Sequence, residues 1–212
     1  MNEYRTIYKE TCEEIYEKKS RFICNLKHAK NEAETAEFIR ETREKYRDAT
    51  HNVFAYVVYC GTLLQKQSDD GEPHGTAGMP ALNVIRSKDL VNVCVVVTRY
   101  FGGILLGAGG LIRAYSQAVK RGVEKSGICT MALHDKISIK VPYTLLVKVK
   151  NAIDISKGDV LDIEYTDYVR VIAKIKYDST ALFIHKINEI SNGKAEIGLL
   201  DKYYDICPEA AD

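Results

Sequence analysis

The residues that could do chemistry concentrate in two short segments. The first is VTRYFGGILLGAGGLIRAY, residues 97–115, which holds five of the chain's 14 glycines between Arg99 and Arg113. A strand that enters a glycine-rich turn and continues as a helix leaves free backbone N–H groups at the helix N-terminus, where an anion can bind. A guanidinium beside those groups would complete a cradle for phosphate or carboxylate. The sequence therefore predicts an anion-binding surface at Gly102, Gly103, Gly107, Gly109 and Gly110.

The glycine pattern matches no well-known phosphate loop. No Gly-Lys-Ser/Thr follows it, as in a P-loop, and no acidic residue is suitably placed about 20 residues further on, as in a dinucleotide-binding turn. Glycines can also serve tight turning or close packing of a helix on a strand. Anion contact and pure packing therefore both remain open for this segment.

The second segment is an acidic loop, SDDGEPHGTAGMP, residues 68–80. Asp69, Asp70, Glu72 and His74 lie within six residues of one another. Such carboxylates can bind a hard cation, raise one another's pKa for acid–base catalysis, or bond their own backbone in turns. They could equally form salt bridges with the two arginines of the glycine segment. The spacing does not match an EF-hand, and we predict no bound metal.

His51 is a third candidate because it precedes the apolar stretch NVFAYVV. It could act as a base near the acidic loop, or it could make a structural hydrogen bond at the start of a strand. A catalytic Ser-His-Asp or Cys-His set cannot be assigned from sequence order alone.

Composition narrows the class of protein. The net charge of +1 over 212 residues is small for a nucleic-acid-binding protein. The six cysteines form no CxxC or CxxH pair, so we expect small buried thiols in a reducing compartment and no cofactor. The polar N-terminus lacks a signal-peptide core, and no apolar run reaches the roughly 18 to 20 residues of a membrane span. These features predict a cytoplasmic protein with no membrane partner.

Apolar patterning predicts a mixed α+β fold for the first part of the chain. Residues 3–28 are expected to be extended, with a bend near 18–21, and a helix over 31–46 should begin at Asn31 with Glu34 as a capping box. Strands are predicted at 52–60 and 90–98. The acidic loop should lead into a short helix after Pro80, and the helix that follows Gly109 should end near Gly127.

The second part of the chain alternates more regularly. Strands are predicted at 136–143, around a turn near Asp167, and in AEIGLLDKYY, with helices after Thr144 and from a cap at Ser179 to Ile190. The order β-α-β-β-α-β is the ferredoxin-like plan. We therefore predict two domains, residues 1–130 and 131–212.

The sequence resembles the IMPACT family, whose bacterial branch is the YigZ-type proteins. The matching blocks are KSRFI (19–23), HNVFAY (51–56) and the two segments described above. Two positions depart from the pattern: Val53-Phe54 stands where relatives commonly have Cys then Trp or Phe, and His74 stands where many carry a small residue. His74 is therefore not treated as a catalytic residue.

The resemblance implies an N-terminal domain of the ribosomal protein S5 domain 2-like class. It implies a ferredoxin-like C-terminal domain similar to the last domain of elongation factor G. Eukaryotic relatives are translation regulators that act on a starvation-response kinase pathway through another N-terminal domain, which this sequence lacks, so that kinase role is not carried over. Fold analogy alone is weak support for function.

These observations lead to one main hypothesis: a translation-linked module that binds RNA or the ribosome. Phosphate would contact Arg99, Arg113 and the glycine backbone, with added charge from Arg21. Carboxylates would orient the arginines or hold a cation. The residues expected to line the site are His51, Asp69, Asp70, Glu72 and Thr76.

Two alternatives stay open. One is an enzyme that acts on a nucleotide or another phosphate-containing small molecule, with Asp69 or Asp70 as base or metal ligand. The other is a protein–protein adaptor in which the glycines only pack. The single-site hypothesis requires the acidic loop and Gly107–Gly110 to lie within about 15 Å, so that side chains from both can share one ligand. The oligomeric state is not predicted.

Overall fold

A computed structural model describes residues 1–207, so residues 208–212 of the predicted second domain lie outside the described residues. The chain divides into two compact units. One comprises residues 4–129, and the other comprises residues 130–207 together with 1–3. Among the described residues, no helix is both long enough and apolar enough to cross a bilayer.

The first unit is built around a five-stranded antiparallel sheet in the order β2-β3-β6-β4-β5. Three helices accompany it. Its strands are β2 (Thr11–Glu17), β3 (Ser20–His28), β4 (His51–Tyr59), β5 (Leu63–Ser68) and β6 (Val93–Tyr100). Strand β1 (Glu3–Ile7) precedes them in the chain and is not part of this sheet. The helices are α1 (Glu32–Lys45), α2 (Gly78–Ser87) and α3 (Gly107–Ser126).

The sheet separates the helices onto its two faces. Because side chains alternate along a strand, Phe22 of β3 meets Tyr115 of α3 on one face, with ring centroids 5.2 Å apart and nearly perpendicular. On the other face, Ile39 of α1 packs in a core with Tyr56 and Val96. The same alternation places each polar side chain near a strand end on either the α3 face or the α1 face of the sheet.

Local sequence explains α1 and α3. Asn31 caps α1 by accepting a hydrogen bond from the Glu34 N–H at 2.9 Å, so the predicted cap is confirmed. Helix α3 buries Leu111, Tyr115 and Val119 along one side. It ends at Gly127, whose φ of +67° is readily adopted only by glycine.

Three local expectations were wrong. Strand β5, LLQKQS, was missed because a polar edge strand lacks the apolar run of a central one. Helix α2 starts at Gly78, since Pro80 falls in its first turn, where a missing N–H costs nothing. Two thiols that were expected to be buried, Cys12 and Cys60, are exposed.

The second unit has the predicted β-α-β-β-α-β order. Its elements are β7 (Ile128–Val141), a 3₁₀ turn (Tyr143–Leu145), α4 (Leu146–Ile155), β8 (Asp159–Tyr165), β9 (Val169–Lys176), α5 (Tyr177–Ser191) and β10 (Glu196–Ile206). These four strands pair antiparallel in the order β10-β7-β9-β8, which is the ferredoxin-like arrangement. Helix α5 begins at Tyr177, so Ser179 is not its cap. The chain thus has the α+β class that the sequence predicts: an S5 domain 2-like unit followed by a ferredoxin-like unit.

Two glycines within α3 should respond to alanine in opposite directions. A Cβ on Gly122 would lie 2.4 Å from Leu26 Cδ1 and 2.9 Å from Cys24 Sγ, whereas a Cβ on Gly109 meets nothing within 4 Å. We expect Gly122→Ala to lower the free energy of unfolding by about 1–3 kcal/mol through overpacking. Gly109→Ala should raise it by about 0.5–1 kcal/mol, because alanine favours the helix. Urea unfolding of both variants beside the parent chain measures this, and equal signs would contradict the packing described here.

Candidate functional site

A cavity of about 360 Å³ opens where the acidic loop meets the start of α3. In the structure, Ser68 ends β5 and Gly78 begins α2, so the irregular part of the acidic loop is residues 69–77. The ends of β4 and β6 form the floor of the cavity, and the segment 101–106 forms its rim. Its lining comprises Thr50, His51, Gly71, Glu72, Pro73, Arg99, Phe101, Leu105, Leu106, Gly107, Ala108 and Leu111. The acidic loop and the glycine segment therefore line the same cavity.

A buried ion pair closes the back of the cavity. Arg99 Nη1 donates to Glu72 Oε1 at 2.7 Å, and the side chains are only 6% and 3% exposed. The Tyr115 hydroxyl donates to the same Oε1 at 2.7 Å. Burial raises the pKa of the Tyr115 phenol and the Glu72 carboxylate raises it further, so the hydroxyl keeps its proton and acts as a donor. Of the three acids that could have paired with Arg99, the fold uses Glu72.

Arg99 still has an unused donor. Its Nε is buried without a hydrogen-bond partner among the described residues, while Nη2 lies 3.4 Å from Ser20 Oγ. The guanidinium lies over the Phe22 ring at 5.4 Å and the Phe101 ring at 5.6 Å. An unsatisfied buried donor is costly, so a ligand oxygen that reached Nε would remove that cost.

His51 reaches the cavity from the first position of β4. Its Nδ1 lies 2.8 Å from the Asp70 carbonyl oxygen, which can only accept, so Nδ1 carries a hydrogen. In the neutral ring, Nε2 then holds the lone pair and lies 3.9 Å from Glu72 Oε2. Gly71 beside this ring has a φ of +87°, which glycine adopts readily, and a Cβ there would make ordinary contact with Nδ1 at 3.4 Å.

Asp70 is a positioning residue and does not line the cavity. Its carboxylate accepts from the Asn52 N–H and from Arg43 Nη2, both at 2.6 Å. Its own φ of +46° is unusual for a non-glycine residue and turns its carbonyl toward His51. The side chain is therefore committed to fixing the loop and is not available as a base.

Asp69 has a similar structural role at the start of α2. Its carboxylate accepts hydrogen bonds from the N–H groups of Gly75, Ala77 and Gly78 at 2.8–3.1 Å. Burial alone would raise the pKa of Asp69, but the three backbone donors outweigh it and hold the pKa below its ordinary value. Asp69 thus supplies the cap that Ala77, at the N-cap of α2, cannot provide.

The glycines of the segment have different reasons for being there. A Cβ on Gly102 would lie 2.0 Å from the backbone carbon of Lys19, so this glycine allows close packing against the β2–β3 turn. Gly103 and Gly107 have φ of +80° and +72°, which serve the turn into α3. Packing and turning therefore explain these three glycines.

Gly109 and Gly110 lie in the first turn of α3. Gly109 has no positive φ and nothing within 4 Å of its missing Cβ, while a Cβ on Gly110 would meet only Leu106 Cβ, at 3.1 Å. The N-cap residue, Leu106, offers no side-chain hydrogen bond. The helix N-terminus is consequently open, with backbone donors that a ligand can approach.

Nine of the thirteen predicted site residues are not in the cavity lining: Asp69, Asp70, Gly102, Gly103, Gly109 and Gly110, described above, and Arg21, Thr76 and Arg113. Arg21 pairs with Glu14 at 2.6 Å and, being next to Phe22 in β3, projects from the other face of the sheet. Thr76 is buried and donates to the Pro73 carbonyl. Arg113 is exposed on α3, four residues after Gly109, and forms no ion pair within residues 1–207. Sequence reasoning missed Tyr115 and Ser20, although both belong to the blocks that carry the family resemblance.

The carboxylates of the acidic loop do not converge. Asp69, Asp70 and Glu72 each bind separate protein donors, as described above. Within residues 1–207, no group of three or more His, Cys, Asp or Glu side chains is arranged to hold a metal ion.

Comparison with known proteins shows which family the chain resembles. Residues 18–123 match the model of the Impact N-terminal domain, and residues 139–194 match a domain of unknown function, DUF1949. The chain is 40% identical over 197 residues to the IMPACT family member YvyE of Bacillus subtilis, covering 93% of this chain and 91% of that protein. It is 30% identical to the IMPACT family member YigZ of Escherichia coli, covering 85% and 89% respectively.

More distant likenesses cover part of a relative or only the fold. Protein IMPACT of Danio rerio is 38% identical over 100 residues, which is 45% of this chain and 31% of that protein. A solved structure described as an hypothetical protein superposes with a TM-score of 0.62 at 27% identity, over 95% of this chain and 98% of that one.

The buried ion pair should show strong coupling in a double-mutant cycle. Glu72→Gln and Arg99→Met each leave a buried charge or its partner uncompensated, so each should cost about 3–5 kcal/mol of unfolding free energy. The double variant should cost clearly less than the two together. Urea unfolding provides the values, and the exposed pair Arg40–Glu44 is the control, with an expected coupling of about 0.3–0.5 kcal/mol. Additive losses at Glu72 and Arg99 would contradict the pairing.

Removing the Asp69 carboxylate should weaken the chain in a pH-dependent way. Because the folded-state pKa is lowered, this stabilisation is present above the unfolded pKa near 4 and is lost as the pH falls through the folded value. Asp69→Asn should cost about 1–2 kcal/mol near pH 7, and the difference from the parent chain should shrink below about pH 4. Glu41→Gln, which removes an exposed carboxylate of α1 that forms no hydrogen bond within residues 1–207, is the control for thermal unfolding measured across pH. A loss that stayed constant with pH would refute the capping role.

Proposed function

The chain belongs to the IMPACT family, and on that premise we propose that it is a translation-linked protein that binds RNA and holds one RNA phosphate in the cavity at the start of α3. Because the cavity is narrow, it fits a single phosphate at the end of a strand or in an exposed single-stranded stretch better than a duplex. The family resemblance supports the link to translation, and the geometry at the start of α3 supports binding of a phosphate.

The observation that carries the proposal is the open first turn of α3. A glycine inside a helix costs up to about 1 kcal/mol relative to alanine, and Gly109 recovers none of it through turning or packing. The remaining reason for glycine is close approach by another group. Free N–H groups at a helix N-terminus, together with the helix dipole, favour an anion as that group.

Two arginines, one buried and one exposed, also support the binding of an anion at the start of α3. Arg99 offers its unpartnered Nε from the cavity floor. Arg113 stands four residues beyond Gly109, so the two are neighbours on the helix surface, and its exposed guanidinium can pair with a phosphate at the entrance. Since Glu72 neutralises Arg99, the net attraction for an anion comes from Arg113 and the helix N-terminus.

The rim of the cavity can also contact bases. Phe101 and Leu105 are 45% and 83% exposed on the segment between β6 and α3. Aromatic and apolar side chains beside a phosphate site allow the bases of single-stranded RNA to stack. This local chemistry supports RNA despite the small net charge of the whole chain.

A second candidate function is an enzyme that acts on a nucleotide or another small phosphorylated molecule. The observation in its favour is His51, which lines an open cavity of about 360 Å³, a size that small ligands occupy. In that function His51 would be the acid–base residue, because the carboxylates of Asp69 and Asp70 are already committed to protein donors.

Binding of 5′-phosphorylated single-stranded RNA, measured by fluorescence anisotropy at several salt concentrations, tests the proposal. Arg113→Gln should weaken binding about tenfold and reduce the salt slope by about 0.7, the value for one phosphate contact. Gly109→Glu should abolish binding at the cavity while keeping the helix stable, because a carboxylate suits a helix N-terminus but repels phosphate. Arg121→Gln, two turns further along α3, is the matched control. Gly109→Ala should bind more weakly than the parent chain, because its Cβ would hinder the close approach that the glycine allows. Unchanged affinity in both test variants would overturn the proposal.

Thermal-shift measurements separate the two candidate functions. A nucleotide-dependent shift that requires Mg²⁺ and is lost in His51→Asn favours the enzyme. Asparagine retains a donor for the Asp70 carbonyl, so the loop should stay in place in that variant. A shift with RNA and no added metal, kept in His51→Asn, favours the binding protein.

A further inference from the structure

A second depression, of about 920 Å³, lies on the opposite face of the sheet from the cavity. It runs between α1 and the strands β4 and β5, and we call it the α1 groove. Phe54 and Tyr56 project into it from β4, whereas His51 and Val53 project from the other side of the same strand. The α1 groove is therefore physically separate from the site of the proposed function and does not depend on it.

The floor of the α1 groove is aromatic. The rings of Phe54 and Tyr56 lie 6.2 Å apart and within 12° of parallel. Phe54 is only half-buried, and the Arg43 guanidinium lies over its ring at 5.8 Å. A partly exposed aromatic ring under an arginine is a surface on which a planar ring system can stack.

The walls of the groove are basic. Arg40 and Arg43 come from the last turns of α1, Arg47 follows its end, and Lys66 of β5 stands directly across from Tyr56 in the sheet register. Two acids share the groove, but Glu32 accepts from the Tyr56 hydroxyl at 2.8 Å and Glu44 accepts from Arg40 at 2.8 Å. The lining therefore has four cations and two carboxylates, and Arg47 and Lys66 are the two cations that no carboxylate of residues 1–207 pairs with.

These cations are available to a ligand. Arg47 and Lys66 are exposed and form no ion pair within residues 1–207. Arg40 and Arg43 are paired with Glu37, Glu44 and Asp70, but all of these side chains are between 31% and 65% exposed. Exposed ion pairs contribute little to stability, so a phosphate can replace Glu37 and Glu44 beside Arg40 at little cost. Asp70 stays in place through the hydrogen bond that it accepts from the Asn52 N–H. The buried Arg99–Glu72 pair on the other face does not have this freedom.

We propose that the α1 groove binds a segment of single-stranded RNA. Its bases stack on Phe54 and on the arginine planes, and its phosphates pair with the basic walls. Charge complementarity alone would also admit an acidic peptide, but the half-buried aromatic floor and the planar guanidinium groups match a base better than an aliphatic carboxylate. Recognition by stacking and phosphate contact is tolerant of sequence.

The test uses labelled single-stranded RNA with a 5′-hydroxyl end, and each variant is measured both in the parent chain and in the Gly109→Glu background, in which internal phosphates are kept from the cavity. The double variant Arg47→Gln/Lys66→Gln should bind at least tenfold more weakly, with a salt slope reduced by about 1.4 for two phosphate contacts. Phe54→Leu keeps an apolar side chain but removes the stacking surface, and should weaken binding by about five- to a hundredfold. Lys45→Gln, an exposed cation of α1 that does not line the groove, is the control and should bind as the parent chain does.

Two further measurements keep the outcomes distinct. Melting temperatures show whether Phe54→Leu is folded, and crosslinking of 4-thiouridine RNA followed by peptide mass spectrometry locates the base on β4 independently of any variant. Loss of binding in the groove variants but not in Gly109→Glu supports the α1 groove whatever happens at the cavity. Unchanged RNA binding in the groove variants, or competition by a polyglutamate peptide with no crosslink to β4, overturns the proposal and leaves the cavity function standing.

Discussion

The buried pair between Glu72 and Arg99 holds the first unit's functional surface together. It joins three elements that are far apart in sequence: the acidic loop, the end of β6 and, through the Tyr115 hydroxyl, helix α3. Taking two charges out of water is expensive, and only good geometry with further hydrogen bonds offsets that cost. The loop is therefore held in one position, and the cavity keeps its shape because its back wall cannot move without exposing a buried charge.

The acidic loop also links the two faces of the sheet. Asp70 binds Arg43 on the side of α1, while its backbone carbonyl fixes His51 on the side of α3. A single residue with a left-handed backbone thus positions one side chain for each of the two surfaces. Asp69 anchors the other end of the loop on the start of α2. The carboxylates that looked like candidates for catalysis serve mainly to build the loop around Glu72.

Periodicity predicted the fold well where burial dominates. Central strands such as β6 read as continuous apolar runs, and α3 shows one buried side with a glycine stop, so both were found from sequence alone. Strand β5 was missed because one polar edge strand resembles a loop, and its existence depends on pairing with β4. The sequence indicated which segments form the site but not which side chains contact each other. No local pattern shows which of the three acids reaches Arg99. The position of Arg21 could have been found: strand alternation places it opposite Phe22, away from the cavity.

The contrast between the glycines of α3 connects composition to function. Gly122 is required by packing, since Leu26 and Cys24 occupy the space a Cβ would need. Gly107 is required by its backbone angle. Gly109 satisfies neither requirement and still occupies a helix, next to the open N–H groups and one turn before Arg113. The anion contact proposed above gives Gly109 a reason that packing and backbone angle do not, and the dipole of α3 is favourable for an anion at that end of the helix. Most glycines of the segment therefore serve packing or turning, and the proposed anion contact is confined to the first turn of α3.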